Sequence, residues 1–258
     1  MSDNRDYLAR AREFAAQEKY QEALAEYGKA LAADPADLEA RLERAELLAE
    51  LGQYAQAIDD FSEALAISPD DATIFTSRGD VFASMGRHDE AIADFSRALA
   101  LDPGDVDALY NRGLSFAQLE KLEQALADFN AALVLDPYHG AVYNNRALVF
   151  VAMGDFVRAI EDFTSAIEYR PGFPCSYDHR GLVYEKLGDV KQAIQDYTEA
   201  LAIAPGSAES LYHRGSAYAA TGEAAQAIRD FQQVLAVVAP NHPFAVLAQQ
   251  KLRAMGHL

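Results

Sequence analysis

The chain has 258 residues, 50% of them apolar, and carries 40 acidic against 22 basic side chains for a net charge of −18. That balance, with no run of Lys and Arg, argues against nucleic acid or an anionic membrane surface as partner. Cys175 is the single cysteine, so no internal disulfide can form, and no run approaches the ~20 apolar residues of a membrane-spanning helix.

The first residues, MSDNRDYLAR, lack a basic start and an apolar stretch, so no secretory signal is read there and a cytoplasmic location is expected. From Asn4 onward the chain repeats every 34 residues, giving seven repeats at 4–37, 38–71, 72–105, 106–139, 140–173, 174–207 and 208–241. Each repeat predicts two helices, with a Gly often between them and a proline ending the second. Repeat one carries Arg5 and Arg12, and has Glu18 at the turn where Gly is common. Repeat two places Glu39, Glu43, Glu46 and Glu50 on one helical face by their spacing of four, three and four. It also has Arg41 where the other repeats hold a large apolar residue. Repeat three has Arg78-Gly79, and repeat four has Tyr110, Asn111, Arg112, Gly113 and Leu114, with Glu120 at its turn. Repeat five contributes Asn144, Asn145 and Leu148. Repeat six contributes Cys175, Asp178, His179 and Leu182, and repeat seven Tyr212 and His213. Residues 242–258 read as an amphipathic capping helix and tail. Asp37, Asp71, Asp105 and Ser207 stand where N-caps are needed.

Five positions keep one kind of residue in every repeat. The eighth is always small: Ala11, Ala45, Gly79, Gly113, Ala147, Gly181 and Gly215. The twentieth is always Ala, and the twenty-fourth is Tyr27, Phe61, Phe95, Phe129, Phe163, Tyr197 or Phe231. Close approach of paired helices accounts for this. Leu at 113 should overpack, whereas Ala should be mild or stabilising, since Ala147 holds the equivalent place. The seventh position is always Arg and the twenty-third always Asp or Glu. This suggests an ion pair within a repeat or between neighbours, the alternative being an arginine ladder for an acidic ligand.

Small residues at positions 8, 20 and 27, aromatics at 11 and 24, and proline at 32 resemble the tetratricopeptide repeat family over essentially the whole chain. The resemblance implies an all-α, right-handed superhelical solenoid of helix-turn-helix hairpins. It implies that first-helix positions 2, 5, 6, 9, 12 and 13 face a concave groove that binds an extended polypeptide. Carried onto this sequence, the groove residues are Tyr110, Asn111, Leu114, Asn144, Asn145, Leu148, His179, Leu182, Tyr212 and His213, with an acidic face of Glu39, Glu43, Glu46 and Glu50. Asn111 and Asn145 resemble part of an asparagine ladder that holds a peptide backbone. Positions 2 and 5 lack Lys, so recognition of paired carboxylates is not expected.

No phosphate-binding, zinc-protease, Cys-x-x-Cys, nucleophile-elbow or calcium-loop motif occurs, so no enzyme, cofactor or metal is expected. Cys175 reads as a buried or half-buried structural residue. The expected function is a non-catalytic scaffold for a protein or peptide, with a basic segment favoured by the glutamate face. The alternatives are a homo-oligomer and a zinc site on His179 and His213. The glutamates could equally be a solvated face, and the leucines could equally pack between first helices.

Overall fold

The computed structural model describes residues 2–257, and side chains from residue 4 to 257. Leu258, the last residue of the expected tail, lies outside them. The chain forms two compact units, Met1–Leu135 and Asp136–Leu258.

In the N-terminal unit α1 (Ser2–Ala16) pairs with α2 (Tyr20–Ala33), α3 (Leu38–Glu50) with α4 (Tyr54–Ile67), α5 (Ala72–Ser84) with α6 (His88–Leu101), and α7 (Val106–Gln118) with α8 (Leu122–Leu135). In the C-terminal unit α9 (Gly140–Met153) pairs with α10 (Phe156–Tyr169), α11 (Pro174–Lys186) with α12 (Val190–Ile203), and α13 (Ala208–Ala220) with α14 (Ala224–Val237). There α15 (Pro243–Ala254) covers the last hairpin. The described residues contain no strand, and none of their helices is long and apolar enough to cross a membrane. Within each unit successive hairpins pack on one another, which buries stripes that one hairpin would leave in water.

Capping follows the sequence. The Ala40, Thr73 and Ala108 amides donate to Asp37, Asp71 and Asp105 at 3.0, 3.0 and 2.9 Å, and the Ser210 amide donates to Ser207 at 3.2 Å. The turns inside hairpins need a left-handed residue, supplied by Gly52, Gly86, Gly154, Gly188 and Gly222. Glu18 and Glu120 take the same role at φ 58° and 57°, where a side chain crowds the backbone. Glu120→Gly is therefore expected to stabilise the N-terminal unit by about 0.5–1 kcal/mol, the relieved strain outweighing the freer unfolded chain. A urea midpoint that stays put or falls, at unchanged slope, would refute this.

The hairpin core is built on contact without clearance. The seven alanines at position 20 are fully buried, and the position-24 rings are at most 4% exposed. A Cβ added at Gly113 would lie 2.7 Å from Phe129 Cε1, and one at Gly79 or Gly181 equally close to Phe95 or Tyr197. The Phe129 ring would have to shift for such a Cβ, so Ala at 113, mild or stabilising by the sequence pattern, is expected instead to cost stability. Where glycine is present, the ring has settled directly onto the helix backbone, in space that Ala147 fills in its own hairpin.

The repeated Arg and acid pair within each hairpin. Arg112 Nε and Nη2 donate to Asp128 Oδ2 and Oδ1 at 2.8 and 2.7 Å. The same two-pronged geometry joins Arg44 to Asp60, Arg78 to Asp94, Arg146 to Asp162, Arg180 to Asp196 and Arg214 to Asp230, while Arg10 meets Glu26 at 3.2 Å. The forks are thus engaged by the chain's own carboxylates rather than offered as a ladder. The remaining nitrogen reaches the preceding hairpin: Nη1 of Arg78, Arg112, Arg180 and Arg214 donates to Ser62, Ser96, Thr164 and Thr198 at 2.9, 3.1, 2.9 and 3.3 Å.

At the first junction the equivalent residue is Gly28, and a Cβ there would meet nothing within 4 Å. Near this junction lies a pocket of about 360 Å³, lined by Leu24, Arg44, Leu48, Gln56, Asp59, Asp60 and Glu63. Arg41, only 6% exposed, sits beside it, donating to the Pro35 carbonyl at 2.7 Å and pairing with Asp60 and Glu63. Gly28→Ser supplies the missing hydroxyl and a better helix former. A gain of about 1 kcal/mol is expected from the two together, read by chemical denaturation. Loss of stability would show that the pocket is not simple vacancy.

Candidate functional site

The first helices of each unit carry a socket, and the two sockets stand at the same repeat register. In the N-terminal unit a pocket of about 330 Å³ lies between α3 and α5, lined by Glu46, Ala49, Glu50, Tyr54, Phe61, Ser77, Asp80, Val81 and Ser84. In the C-terminal unit a pocket of about 290 Å³ lies between α9 and α11, lined by Leu148, Val151, Phe163, His179, Leu182, Val183, Glu185 and Lys186. Three repeats separate them in sequence, so that Phe61 corresponds to Phe163, Ala49 to Val151 and Val81 to Val183. The geometry is shared because positions 6, 9 and 13 fall on one helical face and the position-24 ring forms the floor. The chemistry is not shared. Glu46, Ser77 and Asp80 in the first become Leu148, His179 and Leu182 in the second.

The first socket is strongly acidic. Burial against its walls pushes the Asp80 carboxyl up to about 6, although its edge meets solvent, and an Asn111 amide donating at 2.8 Å opposes the shift. Burial raises Glu46, and Glu43 and Glu50 add to it. The expected four-glutamate face divides here. Arg12 Nε donates to both Glu43 oxygens at 2.9 and 3.0 Å and its Nη2 pairs with Glu39, while the Tyr27 hydroxyl donates to Glu43 at 3.0 Å. Glu39 and Glu43 are thus neutralised within the chain, and Glu46, Glu50 and Asp80 line the socket. Asp80 was not among the sequence-predicted residues. Its signal was present, since it occupies position 9, the place of Leu114, Leu148 and Leu182.

The second socket gathers three predicted residues, Leu148, His179 and Leu182. Leu148 is 36% exposed, and Leu114, in the other unit, is half-buried. The two asparagines expected to hold a partner's backbone make dissimilar bonds. Asn111 donates to Asp80, and Asn145 donates to the Ala141 carbonyl of its own helix at 3.0 Å. Asn144, expected in the groove, is instead 5% exposed and accepts from the Ser176 hydroxyl at 3.0 Å, joining successive hairpins. Asp178 makes the equivalent joint one repeat later, accepting from Ser210 at 2.8 Å, and burial pushes its carboxyl up to about 6. At the last joint aromatic rings replace these polar pairs, Tyr212 against Phe244 at 5.6 Å.

His213 stacks on Tyr197 at 5.7 Å and meets Phe244 at 6.0 Å, while His179 lies 5.7 Å from the Phe163 ring. Burial lowers the pKa of both histidines. Among the described residues no group of three or more His, Cys, Asp or Glu is placed to hold a metal ion. Tyr110 rests against Phe129 at 6.2 Å. Cys175 is exposed, contrary to expectation, and its thiol is raised by partial burial and by Asp178 and Glu209, the opposite of activation.

The tetratricopeptide repeat pattern matches residues 8–72, 76–139, 140–173, 179–207 and 209–239. No curated protein matches the chain. Among solved structures, a tetratricopeptide repeat protein from Parabacteroides merdae is similar at 19% identity and a TM-score of 0.76, over 98% of this chain and all 100% of that one. PilW, a type IV pilus biogenesis factor, is similar at 25% identity and 0.70, over 80% of this chain and 96% of its own. YrrB, a repeat protein with an unusual peptide-binding site, is similar at 21% identity and 0.59, over 74% and 97%.

Proposed function

Since the chain belongs to the tetratricopeptide repeat family, we propose that it is a non-catalytic scaffold that binds polypeptide segments along its first helices. The observation that carries this reading is the pair of register-equivalent sockets with opposite linings. A hairpin core constrains positions 8, 20 and 24, but leaves positions 6 and 9 free to vary, and it is there that the linings diverge. The acidic socket suits a Lys or Arg side chain whose stem lies on Tyr54 and whose charge offsets crowded carboxylates. The apolar socket suits one large apolar side chain. YrrB, of the same fold, has an unusual peptide-binding site, which supports peptide binding as the use of this fold here.

The test is an array of extended peptides that samples Arg, Lys and apolar residues, probed with the whole chain. Binders of micromolar affinity, about −8 kcal/mol, are expected. Replacing Glu46 and Glu50 by Gln and Asp80 by Asn should weaken basic binders about tenfold and flatten their salt dependence, because exposed charges are screened within ~8 Å at physiological ionic strength. Equal binding with an unchanged salt slope would remove the acidic socket from the function, and an array without binders of any class would remove the first helices. Self-association, seen as a mass that grows with concentration in light scattering, would then take their place.

A further inference from the structure

We propose that the apolar socket between α9 and α11 is an indole subsite, taking a tryptophan side chain whose N–H donates to His179 Nε2. The proposal rests on the reading that polypeptides bind along the first helices, and it names what the C-terminal unit selects. The walls are Leu148, Val151, Leu182 and Val183 over the Phe163 ring, and the volume of about 290 Å³ is that of a single large side chain. Pockets for drug-sized molecules begin at about that size and extend to ~1,000 Å³.

Three polar residues reach this lining, His179, Glu185 and Lys186, and the His179 ring is the one fixed from the neighbouring hairpin. His179 Nδ1 lies 3.4 Å from Asn144 Oδ1, an oxygen that can only accept. Asn144 is itself fixed, buried and bonded to Ser176 at 3.0 Å. The ring proton therefore sits on Nδ1, and Nε2 presents a lone pair. Among the described residues no hydrogen bond to Nε2 is found, Nε2 is not among the enclosed partnerless atoms, and the His179 side chain lines the socket. Glu185 at the rim accepts from the Tyr197 hydroxyl at 2.8 Å on Oε2, and the His179→Leu variant below separates its Oε1 from His179 Nε2 as the ligand's acceptor.

Apolar walls with an acceptor at their edge suit indole, a large apolar ring with one donor and no acceptor. A leucine or phenylalanine would fill the space and leave Nε2 unpaired. The equivalent N-terminal socket cannot take this role, because Ser77 stands in place of His179 and carboxylates in place of the leucines.

The probes are N-acetyl-tryptophanamide, its indole-N-methyl analogue and N-acetyl-leucinamide, titrated into the whole chain and followed by the methyl NMR signals of Leu148, Leu182 and Val183. The chain has no tryptophan, so indole emission gives a second readout without background. The tryptophan probe is expected to bind about tenfold more tightly than either of the others, the difference one buried hydrogen bond makes. In His179→Leu the two indoles should bind equally while the methyl signals still respond. Equal binding of both indoles to the parent chain, or a leucine probe that binds as tightly, overturns the indole subsite and leaves the scaffold reading standing. Methyl signals that respond to no probe overturn both for this unit. The comparison of the two indoles needs no variant, so a misfolded His179→Leu leaves the test intact.

Discussion

Arg112→Met is expected to destabilise the N-terminal unit by about 3–5 kcal/mol. The reason is what it leaves behind. Asp128 is 5% exposed, and both of its oxygens are held by the Arg112 fork. Removing the fork strands a buried carboxylate in a place water does not reach. The link to Ser96 and the contact over the Phe116 ring at 5.9 Å are lost as well. Arg112→Lys should recover only part of the loss, because an ammonium cannot serve two oxygens and a neighbouring hydroxyl at once. Adding Asp128→Leu to Arg112→Met should restore much of it, since the stranded charge is then gone. Urea denaturation of the whole chain measures the size, and hydrogen exchange in α7 and α8 shows whether the loss is local. A loss under about 1 kcal/mol would place this pair with ordinary surface ion pairs.

Gly113→Leu is expected to cost about 3 kcal/mol, at the upper end of what overpacking does. The side chain must enter space already held by Phe129, which is fully buried. Gly113→Ala should cost about 1 kcal/mol, the overpacking term exceeding the roughly 1 kcal/mol that Ala gains in a helix. The decisive measurement is a double-mutant cycle with Phe129→Leu. A smaller residue at 129 should make Ala at 113 neutral or favourable, giving a coupling of about 1 kcal/mol. Ala that stabilises the parent chain outright would mean the ring yields freely and the contact constrains nothing.

The repeat register was legible because backbone geometry and side-chain size set it locally. Small residues at position 8, rings at position 24, caps at Asp37 and Asp105, and glycines at the turns each have one physical reason that a sequence displays. The paired Arg and acid were legible as a pattern, but whether they join within or across hairpins depends on three-dimensional placement. The failures share a cause. Ala147 and Gly113 look equivalent in a repeat alignment, yet the facing ring sits closer where glycine allows it. Glu39 and Glu43 look like neighbours of Glu46, yet only they lie within reach of Arg12 from the preceding hairpin. Asn144 and Asn145 are adjacent in the chain and lie on different faces of α9, one in a joint and one on the surface. Asp80 was passed over because its role shows only when its place is compared with Leu182, three repeats away.

The pairing of Arg with an acid sixteen residues later has a consequence for how such a chain can lengthen or shorten. Each repeat carries both halves of its own ion pair, so copying or deleting a whole 34-residue block orphans no charge. Only the hydroxyl is borrowed from the neighbour, and Ser62, Ser96, Thr164 and Thr198 can stand in for one another. With 72–105 removed, Arg112 would find Ser62 where Ser96 had been, and with 174–207 removed, Arg214 would find Thr164 in place of Thr198. The sockets draw on adjacent repeats, so the same events would redraw them. Gene-level duplication can thus reshuffle what the surface recognises while every hairpin keeps the ion pair that ties its own two helices.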